Sequence, residues 1–274
     1  MFYERAKIKQ IHILLTKVCR LLDRSNGQCF TDDDEMAFRL FAVYCAMALH
    51  YSKIFNEVSH QRTKFKVAME VLEFHLCSSL EDADLLYEEH AITDEQIPEG
   101  FYSLDFCCYD YDSLLPRLFI RIVQETFGDK QFEIHKLCRF ALTVRKNYRP
   151  VTYHNWQHGF HVTHALWAMI RGNQSKLSRL EKMSLLIGGI SHDIDHRGYN
   201  NDFFKKMNLP LAALYSTSTM EQHHYRQTIT VLHSDGHDIF SFLSAEEHKT
   251  ILDLIRYLLC FYKHDVKICF PIYM

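Results

Sequence analysis

The stretch Leu180–Ile190 is largely apolar and runs straight into Ser191-His192-Asp193-Ile194-Asp195-His196. Ser178 followed by Glu181 fits a capping box, so a helix is expected to begin there. Leu180, Met183, Leu185, Leu186, Ile187 and Ile190 then cover its circumference, which marks a core helix. Gly188 and Gly189 lower its helix propensity but would let a second helix pack closely against it. Imidazoles and carboxylates therefore emerge from the middle of a domain. Such groups are tolerated in an apolar interior only when paired, hydrogen-bonded or bound to a metal. The fold must supply what compensates them.

A second cluster lies upstream, Tyr153-His154-Asn155-Trp156-Gln157-His158-Gly159-Phe160-His161, continuing through Val162, His164, Ala165, Leu166 and Met169. At 3.6 residues per turn His158, Val162, Ala165 and Met169 fall on one stripe, with His154 and His161 beside it. His158 is thus expected to share a face with core residues. Any one of these histidines alone reads as an ordinary core or surface residue. The two clusters together read as a metal centre, because two imidazoles and a carboxylate suit zinc and a carboxylate can bridge to a harder ion such as magnesium or manganese. Paired metals of that kind activate water and clamp a phosphate during in-line displacement. Asn155 follows His154 and no glutamate lies between the histidines, so the zinc-protease pattern is absent.

Three strings carry a family resemblance: Tyr153-His154-Asn155-Trp156-Gln157-His158, then His192-Asp193-Ile194-Asp195-His196-Arg197-Gly198-Tyr199-Asn200-Asn201, then Pro210–Tyr215 running on to Met220-Glu221-Gln222-His223-His224. In this order they resemble the catalytic domain of class I 3′,5′-cyclic nucleotide phosphodiesterases. The wording from Tyr215 to His224 is most similar to the GAF-containing dual-specificity branch, nearest to type 10. The resemblance implies that His154 is the general acid protonating the departing 3′ oxygen, and that Tyr153 lines the nucleotide pocket. It implies that His158, His192 and Asp193 bind the first metal, zinc, and that Asp193 also touches the second, magnesium or manganese. His196 and Glu221 would act on water from behind the ligands, and Asn201 would sit near the phosphate. His161, His164, His223 and His224 receive no role at the metal. Glu221 stands three residues after Ser218, so a helix-capping role is compatible with it too. Asn200 and Asn201 also fit a turn after Gly198, and Asp195 fits either a solvated acid or a partner orienting a ligand histidine.

The resemblance implies a mainly α chain: a partial all-α HD-type phosphodiesterase catalytic domain preceded by a small α/β GAF remnant and a linker helix. Residues 1–58 resemble the carboxy-terminal part of a GAF domain, with a last strand within Ile11–Leu22 and a long helix opened by Thr31-Asp32-Asp33-Asp34-Glu35. Residues 59–94 read as linker helix and acidic connector, with the run from Leu80 to Gly100 expected to be solvated. Residues 95–274 read as the amino-terminal part of the catalytic domain, with aromatics between Phe101 and Tyr111 docking on helices expected over 113–127 and 130–148. After about residue 256 the sequence departs from the pattern, and Lys263 stands where the family's second metal-binding aspartate belongs. Asp265 matches neither its spacing nor its neighbours. A carboxy-terminally truncated chain without that aspartate or the purine-gripping residues is expected to be impaired or inactive.

With 47% hydrophobic and 24% charged residues and a net charge of −3, the chain carries no basic excess that would argue for nucleic acid or an anionic membrane. Its nine cysteines show neither metal-type pairs nor a disulfide rhythm, which fits a reduced, cytoplasmic protein. The longest clear apolar run, Leu40–Leu49, is too short to span a bilayer. The expected partners are a cyclic nucleotide and a second copy of the chain paired through amino-terminal helices. Two rivals are another HD-type phosphohydrolase, disfavoured by the Tyr-His-Asn-x-x-His string, and a non-catalytic isoform pairing with full-length subunits.

Overall fold

The computed structural model describes residues 31–72, 77–173, 175–215 and 217–260. The chain divides into two compact units, residues 1–65 and 66–274. Most of the described part of the first unit lies in helix α1 (Asp32–Leu72), whose last turns belong to the second. Thr31 starts α1 by donating its backbone N–H and hydroxyl to the Asp34 carboxylate, and four acids in the first turn complement the helix dipole. Leu40, Phe41, Tyr44, Phe55 and Val58 are exposed along it. The strand expected within residues 11–22 lies outside the described residues, as does the departure around Lys263 and Asp265.

The second unit contributes nine further α-helices among the described residues: α2 (Leu80–Glu89), α3 (Leu115–Phe127), α4 (Ile134–Lys146), α5 (Trp156–Gly172), α6 (Arg179–Ser191), α7 (Asn201–Lys206), α8 (Pro210–Leu214), α9 (Thr219–Leu232) and α10 (Ala245–Cys260). No strand occurs among the described residues. The described residues are all-α, as the resemblance implies for the catalytic part, and no described helix is long and apolar enough to cross a membrane.

Helix α6 is the hub, packing on α5 and on α10. Its capping box forms as expected, with Ser178 Oγ accepting from the Glu181 N–H and Glu181 receiving the Ser178 N–H. A Cβ on Gly189 would sit 2.9 Å from Leu166 Cδ1 and 3.2 Å from Thr163 Oγ1 of α5, so this glycine sets the close approach of the two helices. On α5 the buried side chains are Trp156, Phe160, Thr163, Ala165, Trp167 and Ile170 with His164, so of the stripe read from His158 to Met169 only Ala165 is fully inside. Met169 is exposed and His158 half-buried at the edge of the true core face. The larger aromatic residues decide which face turns inward, and His158 is left beside a cleft. His154 precedes the helix, because Asn155 caps it by accepting from the His158 N–H.

The acidic run after residue 80 begins as helix α2, its acids exposed as expected. Ser79 caps it, Ala83 is fully buried, and α2 docks on α4, where Asp82 pairs with Lys146 at 2.7 Å and Asp84 with His135 at 2.6 Å. Just before it, the Ser78 N–H donates to Thr143 Oγ1, which also meets His237 Nε2 at 2.7 Å, a buried polar clip across three segments. The expected aromatic docking is present: Phe101 is fully buried and lies against Phe106, His164 and Trp167 at ring distances of 5.5, 5.3 and 5.1 Å. A smaller cluster joins Val67 of α1 to Phe204, Leu211 and Met220 of α7, α8 and α9. Replacing Phe101 with alanine removes an aromatic from the main core, and we expect a loss of about 3–5 kcal/mol in urea-unfolding stability.

Candidate metal centre

The end of α6 delivers the ligands. His192 is the C-cap, and its Nδ1 lies 2.7 Å from the Gly189 carbonyl oxygen, which can only accept. The proton is therefore on Nδ1, and Nε2 is left with a lone pair to bind a cation. That Nε2 lies 2.9 Å from Asp193 Oδ2 and 3.3 Å from His158 Nε2, while His158 Nε2 and Asp193 Oδ2 are 3.5 Å apart. A tetrahedral zinc with bonds of about 2.0–2.1 Å separates its ligand atoms by about 3.3 Å. The donor set and its spacing fit a zinc-sized ion held by His158, His192 and Asp193.

Burial alone would raise Asp193, but charge on His192, with hydrogen bonds from His158 and His192 when those rings also carry a proton on Nε2, outweighs it and holds the carboxyl well below its ordinary range. An ionised carboxylate is the form a metal needs. His224 completes the wall: its Nδ1 donates to the Ile194 carbonyl at 2.6 Å, and its Nε2 points toward Asp193 Oδ1 at 3.8 Å without a hydrogen bond. Burial pushes the His224 imidazole down to about 3, so the ring is neutral. A lone pair facing a carboxylate oxygen is a polar arrangement that a cation or its water relieves.

His154 stacks on His196 with ring centres 3.9 Å apart, and these two with Asp193 form a second group of ligand-type atoms. The Gly198 N–H donates to His196 Nδ1, so the neutral ring carries its proton on Nε2. Tyr153 lies 4.5 Å from the His158 ring and edge-on to His154. Asn201 and Glu221 form a pair of their own, Asn201 Nδ2 donating to Glu221 Oε2 at 2.8 Å while Asn201 Oδ1 accepts the Met220 N–H. That last bond takes the capping place at α9, since Ser218 is left-handed at φ 48° and its side chain does not cap. Asn200 is the turn residue of the pair and caps α7 through the Phe203 N–H.

Behind the ligands Asp195 adopts φ 58° and joins Arg149, His223 at 2.7 Å and Arg197 at 3.5 Å. Burial raises its carboxyl, but the bond from His223 and the two guanidiniums outweigh it and hold it at about 2. Of the readings left open for Asp195, the buried partner is the one observed, though its imidazole is His223. His223 and His224, given no place by the motif reading, are both buried beside these carboxylates. Two adjacent histidines on a helix that also buries Met220, Val231 and Leu232 were the available signal. His164 is a core histidine, bonded to the Phe101 carbonyl at 2.6 Å.

Residues 153–260 match the family described as 3′5′-cyclic nucleotide phosphodiesterase. The matched segment holds His154, His158, His192, Asp193 and His196. A Caenorhabditis elegans protein named "Probable 3′,5′-cyclic phosphodiesterase pde-5" is 38% identical over 255 residues, 92% of this chain and 34% of its own length. The "cGMP-specific 3′,5′-cyclic phosphodiesterase" of Drosophila melanogaster is 36% identical over 244 residues, 87% of this chain and 22% of its own. The chain thus spans about a third or less of these phosphodiesterases, and the likeness reaches upstream of the family match into the amino-terminal helices.

The Asp195 network gives a pH test. A carboxyl held near 2 in the fold, against about 3.9 in an unfolded chain, stabilises above pH 4, and that stability is lost as pH falls toward 2. In urea titrations with EDTA we expect the native chain to lose ~2 kcal/mol more than Asp195→Asn between pH 5 and pH 2.

Proposed function

We propose that this chain carries the acid and first-metal half of an active site hydrolysing 3′,5′-cyclic nucleotides to 5′-monophosphates. The observation that supports this best is the convergence of His158, His192 and Asp193 beside the stacked pair His154 and His196. A divalent cation bound there polarises a phosphate and lowers the pKa of water. His158, His192 and Asp193 hold zinc, and Asp193, with His154 and His196 close by, faces a second site for magnesium or manganese. His154 protonates the departing 3′ oxygen, a task suited to an imidazole. His196, donating from Nε2, orients the attacking water together with Glu221, Asn201 bears on the phosphate, and the exposed Tyr153 ring lines the nucleotide pocket.

Among the described residues the first ion gathers three side chains, one fewer than the resemblance implies. Because the sequence has Lys263 where the resemblance expects the second metal-binding aspartate, the proposal includes weak metal retention and slow turnover by this chain alone. The fly relative's name makes cyclic GMP the first substrate to assay, with cyclic AMP beside it. The reading also keeps a GAF remnant over residues 1–58, a linker and connector over 59–94 and a catalytic part over 95–274, in a cytoplasmic protein of the GAF-containing branch nearest type 10. The exposed apolar side chains of α1 favour a second reading, a helix-mediated pair with another copy or a full-length relative.

With zinc and magnesium supplied, we expect slow formation of the 5′-monophosphate that EDTA abolishes. His154→Ala should lower kcat by about 10²–10⁴-fold while zinc uptake persists. Zinc uptake without any turnover would favour the non-catalytic reading, and turnover above about 1 s⁻¹ would overturn the impairment. Light scattering should give a dimer mass, which Phe41→Glu with Tyr44→Glu reduces to a monomer.

A further inference from the structure

Tyr148 follows α4 and precedes the Tyr153 string, and it lies in the core with only 6% of its surface exposed. Its hydroxyl donates to the Ile190 carbonyl at 3.0 Å and accepts the Asp193 N–H at 3.3 Å. One hydroxyl can do both at once, as a single donor with acceptor capacity to spare. The Ile190 carbonyl belongs to the last turn of α6, where carbonyls lack helical partners. The Asp193 amide belongs to the residue whose carboxylate meets His158 and His192. The tyrosine therefore ties the end of the core helix to the backbone of the carboxylate beyond it.

A third element makes room for this tie. A Cβ built on Gly159 of α5 would lie 2.6 Å from the Tyr148 hydroxyl oxygen and 2.8 Å from Cζ, distances at which the ring must move. Trp156, one turn earlier, packs edge-on to the same ring at 6.1 Å. The phenol is thus held by α5 on one side and bonded to α6 and its continuation on the other.

We propose that Tyr148 is a positioning residue for Asp193, and that Gly159 is a glycine because α5 must clear the tyrosine hydroxyl. The inference rests on the metal-centre reading. By fixing the Asp193 amide, the hydroxyl fixes the direction from which the carboxylate reaches the two imidazoles. Neither residue offers an atom to the ion. Changing either should alter the affinity for metal without altering the donor set.

The test is zinc affinity of the whole chain, measured by competition with a chromogenic chelator, beside melting temperatures with and without zinc. Tyr148→Phe keeps the ring and removes only the hydroxyl, and the expected result is zinc binding about 10- to 100-fold weaker. Gly159→Ala should weaken it in the same direction. The double variant should be no worse than the poorer single one, because both changes remove the same contact. A packing role alone would lower the metal-free melting temperature and leave the zinc affinity and zinc-induced melting shift intact, which overturns the proposal. In the unsubstituted chain, zinc should also shift the Tyr148 ring resonances, so absence of a shift counts against it even if neither variant folds. If the unsubstituted chain takes up no zinc, the metal-centre reading falls, and this inference with it. Zinc binding that is equal in all forms overturns the inference alone.

Discussion

An almost fully buried carboxylate at the end of a core helix is the constraint on which the rest of this structure depends. Asp193 is 1% exposed, and an ionised carboxylate in that position is costly unless it is met by hydrogen bonds and opposite charge. The fold meets it by bringing α5 and α6 close enough for His158 to reach the end of the neighbouring helix. That approach requires Gly189, whose missing side chain leaves space for Leu166 and Thr163. It also requires an early start to α5, which Asn155 sets by capping, so that His158 falls in the first turn and His154 stays outside the helix. Helix packing and ligand placement are one problem here.

The periodicity of the sequence revealed the core helix and its capping box because both are local. Leu186, Ile187 and Ile190 are buried wherever the helix is placed, and Ser178 needs only Glu181. The face of α5 was only partly legible from spacing: Ala165 is buried as the stripe required, but Met169 is exposed while Trp167 and Phe160 won the interior through greater apolar area. The docking of the acidic helix at 80–89 was not legible because the cations that pair with it, Lys146 and His135, lie more than fifty positions away. Charge pairing at that range leaves no mark on local composition.

The candidate site divides along the same line. His154, His158, His192, Asp193 and His196 were legible as residue types in recurring strings, and the structure gathers them. Arg149 and Tyr148 were not, and His223 and His224 stood in a recurring string without a role, since their partners are backbone atoms or residues brought in by tertiary packing. Glu221 was legible as an acid after Ser218, yet its observed hydrogen-bond partner is Asn201, 20 positions earlier, and the left-handed Ser218 forms no cap. Motif spacing finds what touches the reacting centre sooner than what holds it in place.

Asp193 and Asp195 show how that support works. Two positions apart, they sit in opposite electrostatic surroundings. Asp195 is met by two guanidiniums and His223, so protein cations stabilise its charge and it serves as an anchor for the loop. Asp193 is faced by His158, His192 and His224, of which His224 is neutral and His192 turns a lone pair inward. Imidazoles oriented in that way donate poorly to a carboxylate and bind cations well. The left-handed turn at Asp195 separates these surroundings by sending one carboxylate toward arginines and leaving the other among histidines. Because the arginines are engaged behind the loop, their charge satisfies the anchor, and the attraction of the histidine-lined side for a divalent ion is preserved.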